Sequence, residues 1–142
     1  MRAGALGQRS VVLRAGLAGT AAWIAALIVL VGLVALLLGD AGPDWRATGT
    51  WAGTVVMLTA VNALSAGLGG GVGVWQAATG GAQSRREALL AGCGPLVLVA
   101  TGLTLMFIEV SLGGVVAALG SIVASAAGAL AGGVLVARRL DG

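Results

Sequence analysis

Four long apolar runs, separated by short breaks of turn and charged residues, set the plan of this chain: residues 15–38, 49–72, 86–109 and 112–137. Each spans roughly 20 to 26 residues, which at 1.5 Å per residue crosses a hydrocarbon core of about 30 Å with some tilt. The pattern predicts an all-α polytopic membrane protein. Its 142 residues form a single four-helix transmembrane domain.

The first run follows Arg2, Arg9 and Arg14. It is longer than the core of a secretory signal, and no Ala-x-Ala cleavage site follows it, so it reads as a spanning helix. Residues 27–38 are mostly bulky and branched, which suits lipid and predicts a peripheral position. Gly39, Asp40, Gly42, Pro43 and Asp44 then break the pattern. Trp45 and Trp51 flank the entry to the second run at the depth of an interfacial aromatic belt. That run carries Thr59, Asn62 and Ser65 at mid-membrane, thins to Gly67, Gly69, Gly70, Gly71 and Gly73, and meets Trp75 at the far interface.

A polar connection over residues 76–84 ends in Ser84, which with Glu87 forms a capping box and starts the third helix near Arg85. Pro95 lies inside this helix beside Gly92 and Gly94, and its ring and missing N–H predict a kink. Only Val110, Ser111 and Leu112 separate the third run from the fourth, so these two form a tight antiparallel hairpin.

The last run has two neighbouring rows of small residues at fourfold spacing. One reads Gly113, Ala117, Ser121, Ser125, Ala129, Gly133; the other reads Gly120, Ala124, Gly128, Gly132. Lipid gains nothing from such a face, whereas a second helix can approach it closely. The expectation is that this helix is central. Its small surface exceeds what three short neighbours need, and the surplus points to self-association or to a membrane-protein partner.

Charge fixes the orientation. Arg2, Arg9, Arg14, Arg85, Arg86, Arg138 and Arg139 fall on one side, against Arg46, Asp40, Asp44 and Glu109 on the other. This bias places both termini in the cytoplasm of a bacterial cell, with the bilayer as the first partner.

Composition removes several function classes. With 58% hydrophobic and 9% charged residues, the chain lacks the polar surface of a soluble fold. The basic residues stand in short clusters at span ends, not on a surface for nucleic acid. Histidine, lysine and tyrosine are absent and Cys93 is the one cysteine. No Cys/His metal site or internal disulfide can be built, and no catalytic triad, phosphate loop or cofactor fingerprint is present. The reading is non-enzymatic.

Two candidate polar features remain. Asn62, with Thr59, Ser65, Thr101, Thr104, Ser121 and Ser125, either lines a path or makes interhelical hydrogen bonds, and the second reading is preferred. Glu109 either couples to a proton or cation or stabilises the start of the last helix. The minimal transporter or channel built from these residues is the alternative to the packing reading.

Two internal likenesses complete the picture. Gly70-Gly71-Val72-Gly73-Val74 lines up with Gly132-Gly133-Val134-Leu135-Val136, so duplication of a hairpin and convergence on small residues both stand. Ala66-Gly67-Leu68-Gly69-Gly70-Gly71-Val72-Gly73-Val74, with Gln83 and Arg85 in the following turn, resembles the glycine-rich hairpin of rotary ATPase proteolipid subunits. That resemblance implies a proton-carrying carboxylate in the middle of the next helix. Thr101, Gly102 and Thr104 stand there instead and Glu109 comes too late, so the chain is not assigned to that family.

Overall fold

The computed structural model describes residues 2–38, 48–106 and 114–141. Among them are four helices: α1 (Arg2–Leu38), α2 (Thr48–Thr79), α3 (Arg85–Met106) and α4 (Gly114–Leu140). The protein is all-helical, and all four helices are long and apolar enough to cross a membrane. Trp45, Glu109, Gly113 and the turn at Val110, Ser111 and Leu112 lie outside the described residues.

Helix ends differ from the apolar runs where polar sequence still supports a helix. α1 begins at Arg2 rather than near Ala15: no proline interrupts its basic first turns, and the helix runs through Gly4 and Gly7. At about 1.5 Å per residue its 37 residues span about 55 Å, well beyond a hydrocarbon core. α2 likewise continues through the glycine cluster and past Trp75 to Thr79. It ends in a Schellman-type turn: the Ala82 N–H donates to the Ala77 carbonyl at 3.0 Å, and Gly81 takes φ +108°, which a side chain would resist.

The start of α3 is capped as its sequence predicts, with one change. The Glu87 N–H donates to Ser84 Oγ at 3.1 Å, but the Glu87 carboxylate reaches back to the Gln83 N–H at 2.9 Å rather than to that of Ser84. α3 then runs unbroken through Pro95. The Pro95 ring fits against Gly16 of α1, where a methyl group would come within 2.8 Å of Pro95 Cγ.

The arrangement corrects the expectation that the last helix is central. α2 touches all three other helices, and so does α3, whereas α4 packs on α2 and α3 and makes no contact with α1 among the described residues. The four helices therefore form a rhombus with α2 and α3 on its short diagonal. The reason lies in the five glycines of residues 67–73. Gly67, Gly70 and Gly71 face α4, while Gly69 and Gly73 face α1 and α3. A helix that is thin on opposite sides can take neighbours on both. α4 packs its glycines toward α2 and α3, and its other side carries exposed Val115, Val116, Leu119, Val123, Leu130 and Leu135 beside exposed Ala127 and Ala131.

Two contacts hold this core. At the first, Gly19 of α1 meets Gly69 and Gly73 of α2 and Gly92 of α3, so three backbones converge where only glycine fits. At the second, Gly133 of α4 packs on Val74 of α2 and on Cys93 and Leu89 of α3. Trp23 and Leu96 fill the space beside the first contact.

α1 and α3 run parallel, with Gln8 beside Glu87 and Gly16 beside Pro95. α2 and α4 also run parallel, Ala63 beside Gly128 and Gly67 beside Gly132. A two-fold relation between the hairpins would pair α1 with α4 as it pairs α3 with α2. That counterpart contact is missing among the described residues, so the repeat at Gly70 and Gly132 does not extend to the packing.

Candidate functional site

Most of the polar residues singled out in sequence lie on the α2–α4 face, in a layer on the N-terminal side of the glycine contacts of both helices. Its hub is a backbone atom. The Ser121 carbonyl oxygen accepts from Asn62 Nδ2 at 3.2 Å and from Ser125 Oγ at 2.8 Å. Ser65 Oγ in turn donates to the Asn62 carbonyl at 3.0 Å. Ser65 and Ser125 are fully buried, and Asn62 is half-buried.

Two threonine hydroxyls turn back on their own helices. Thr59 Oγ1 donates to the Val55 carbonyl at 2.7 Å, and Thr104 Oγ1 donates to that of Ala100 at 2.8 Å. Thr59 lies beside Gly120 across the interface, whereas Thr104 sits on α3 and joins no bond of this layer. A hydroxyl that bonds the carbonyl one turn earlier offers less to a passing solute, because its one proton is already committed. Asn62 alone among them crosses between helices through its side chain. Its Oδ1 is buried and, among the described residues, has no hydrogen-bond partner; Trp23 Nε1 is the other such atom.

Below this layer the interface closes. A methyl group on Gly128 would overlap the Ala63 carbonyl, one on Gly132 the Gly67 carbonyl, and one on Gly70 the Ala129 carbonyl. Such approach gathers dispersion contacts along two backbones, the main attraction available between helices in lipid. Of the sequence-selected packing residues, Ala124, Gly128, Gly132 and Gly133 lie in this core, with Gly120 at its polar edge; Ala117 is half-buried further along. Among the described residues, the two small rows of α4 thus pack against α2 and α3 within one chain.

A different small seam stays uncovered. Along α1, Ala21, Ala25, Ile28, Gly32 and Ala35 are all exposed. Their spacing of four, three, four and three is that of a helix–helix seam. A methyl group at Gly32 would meet nothing within 4 Å. Sequence reasoning missed this seam because the bulky neighbours Val29, Leu33, Leu36 and Leu37 mask it. Reading the helix at the 3.5-residue period brings it out.

The arginines whose side chains are described gather at one end. Arg9 and Arg14 on α1, Arg85 and Arg86 on α3, and Arg138 and Arg139 on α4 are all exposed. The Gln8–Glu87 hydrogen bond, at 2.8 Å, joins the first two groups. A polar cleft shared by Arg85, Ala88, Ala137, Leu140 and Asp141 joins the last two.

No protein-family model, no curated protein and no solved structure matches this chain.

Proposed function

We propose that this protein is a non-enzymatic, multi-pass protein of the bacterial cytoplasmic membrane, with both termini cytoplasmic, which acts through helix packing as a homo-oligomer or as an accessory subunit. The gathering of the described arginines at one end of four apolar helices supports the orientation. The observation that carries the packing role is the α1 seam: it has the small residues and spacing of a helix interface, and no helix among the described residues covers it.

The test is cross-linking in native membranes with Cys93→Ala/Ala25→Cys, repeated with Gly32→Leu added. An oxidised dimer, or a cross-link to one heterologous membrane protein, that Gly32→Leu abolishes is the expected result. A strict monomer in nanodiscs with no cross-link in membranes overturns it.

The alternative is a minimal transporter or channel lined by Asn62, Thr59, Ser65, Thr104, Ser121, Ser125 and Glu109. One observation favours it, the buried and unpartnered Asn62 Oδ1. Flux in proteoliposomes that Asn62→Leu abolishes would establish that reading, and flux indifferent to Asn62→Leu and Glu109→Gln would remove the lining.

A further inference from the structure

Between the first halves of α1 and α3 lies an open groove of about 1030 Å³. It is large enough for a bulky amphiphile, and its two ends differ in chemistry. Gln8, Arg9, Ser84, Arg86 and Glu87 form one end, while Val12, Leu13, Leu17, Leu90, Pro95 and Val99 carry the apolar walls toward the other. We infer that this groove is a binding site for one anionic phospholipid of the cytoplasmic leaflet, with its phosphate between Arg9 and Arg86 and its acyl chains along the trough. The inference rests on the membrane orientation proposed above.

Three features argue for that occupant. The first is depth. From Arg9 to Thr20 on α1 is about 16 Å, and from Arg86 to Val99 on α3 about 20 Å, at 1.5 Å per residue. Half of a hydrocarbon core of about 30 Å, plus a headgroup layer, fits that length. A groove for a peptide or a transmembrane partner would have no reason to stop one leaflet deep.

The second is charge. Arg9 and Arg86 both line the mouth and are both exposed. The one carboxylate there, Glu87, takes hydrogen bonds from Gln8 and from the Gln83 N–H, which hold it against the helix ends. The guanidiniums keep their planar forks for phosphate oxygens.

The third is rigidity. Gln8–Glu87 pins α1 to α3 at the polar end, Gly16 against Pro95 pins them midway, and Gly19 against Gly92 lies at the inner floor. The trough between these points is held open by the parallel register of the two helices. Leu13, Leu17 and Leu90, each 64% exposed, are the side chains an acyl chain would cover.

The experiment measures lipid retained by the full-length protein. Protein reconstituted with phosphatidylcholine containing phosphatidylglycerol is released from nanodiscs and weighed by native mass spectrometry. The wild type is compared with Arg9→Gln/Arg86→Gln, with Leu90→Trp, which fills the trough, and with Arg138→Gln/Arg139→Gln, which removes the same charge elsewhere. One retained phosphatidylglycerol is expected in the wild type and in the Arg138/Arg139 variant. Retention should fall about thirtyfold in the Arg9/Arg86 variant, on the basis of about 1 kcal/mol per basic residue at an anionic surface, and should be lost in Leu90→Trp. Equal retention in all four, loss in both arginine pairs alike, preference for phosphatidylcholine, or a dimer mass with no lipid would overturn the assignment. Membrane partition and helical content of each variant are recorded in parallel, so a failure of membrane insertion is distinguished from a failure of the groove.

Discussion

Gly132 of α4 lies so close to Gly67 of α2 that a single methyl group on it would overlap the Gly67 carbonyl oxygen. The same fit recurs at Gly128 with Ala63 and at Gly70 with Ala129. Three such contacts along two parallel helices make this the tightest seam of the bundle. It also gives the bundle its most sensitive positions.

Gly132→Ala should therefore destabilise, although alanine is the better helix former by about 1 kcal/mol. Overpacking a close contact costs about 1–3 kcal/mol, and here the obstacle is backbone, which cannot rotate away. Gly102→Ala is the control, because a methyl group there meets nothing within 4 Å. Thermal unfolding in detergent should show a lower midpoint for Gly132→Ala and an unchanged or higher one for Gly102→Ala. Equal midpoints would mean that the α2–α4 seam is looser than described.

Asn62→Leu should change stability little. Its bond to the Ser121 carbonyl is an interhelical contact of about 0.6 kcal/mol, with about 1.7 kcal/mol the upper end for such bonds. Removing the amide also removes the buried, unpartnered Oδ1, which offsets part of the loss. Reversible unfolding in mixed micelles should place the variant within about 1 kcal/mol of wild type. A much larger loss would mark Asn62 as a structural keystone.

How far these features were legible in the sequence depends on what kind of signal each leaves. The four spans were, because span length and polar breaks are one-dimensional properties. Ser84 and Glu87 marked the start of α3 for the same reason, three residues apart in the chain. The centre of the bundle was not. The regular fourfold rows from Gly113 to Gly133 drew attention to α4, yet a one-sided small stripe describes a helix with one close flank. The irregular run Gly67, Gly69, Gly70, Gly71, Gly73 was the stronger sign, since glycine at successive positions thins more than one face. In the polar layer, Ser121 and Ser125 share one face of α4 by periodicity, but only coordinates bring Asn62 of α2 against it and show that Ser65 and Thr59 bond their own helix. Glu109 and Gly113 lie outside the described residues, and their roles stand as expectations.

Cys93 offers a reporter of folding. It is 2% exposed, its Sγ donates to the Ala129 carbonyl at 3.2 Å, and it packs against Gly133. In the folded protein it should resist N-ethylmaleimide for hours and react within minutes in denaturant. Gly133→Ala, which pushes a methyl group to 2.7 Å from that sulfur, should shorten the protection. Rapid labelling of the folded wild type would place Cys93 outside the core.

Orientation can be read at the α2–α3 turn. In whole cells, Arg85→Cys in a Cys93→Ala background should be blocked only by reagents that cross the membrane, and Arg138→Cys should match it. Labelling of either by an impermeant reagent added outside would reverse the proposed topology.

The most direct test of a bundle shut by backbone contacts is thiol accessibility inside it. Ser65→Cys and Ser125→Cys, each on Cys93→Ala, replace buried hydroxyls on the α2–α4 face with groups of similar size. Exposed to a small water-soluble methanethiosulfonate from each side of reconstituted vesicles, both should remain unmodified over the time that fully labels Arg85→Cys. Modification of either at a comparable rate would reveal a water-filled path between α2 and α4 and contradict the closed interior.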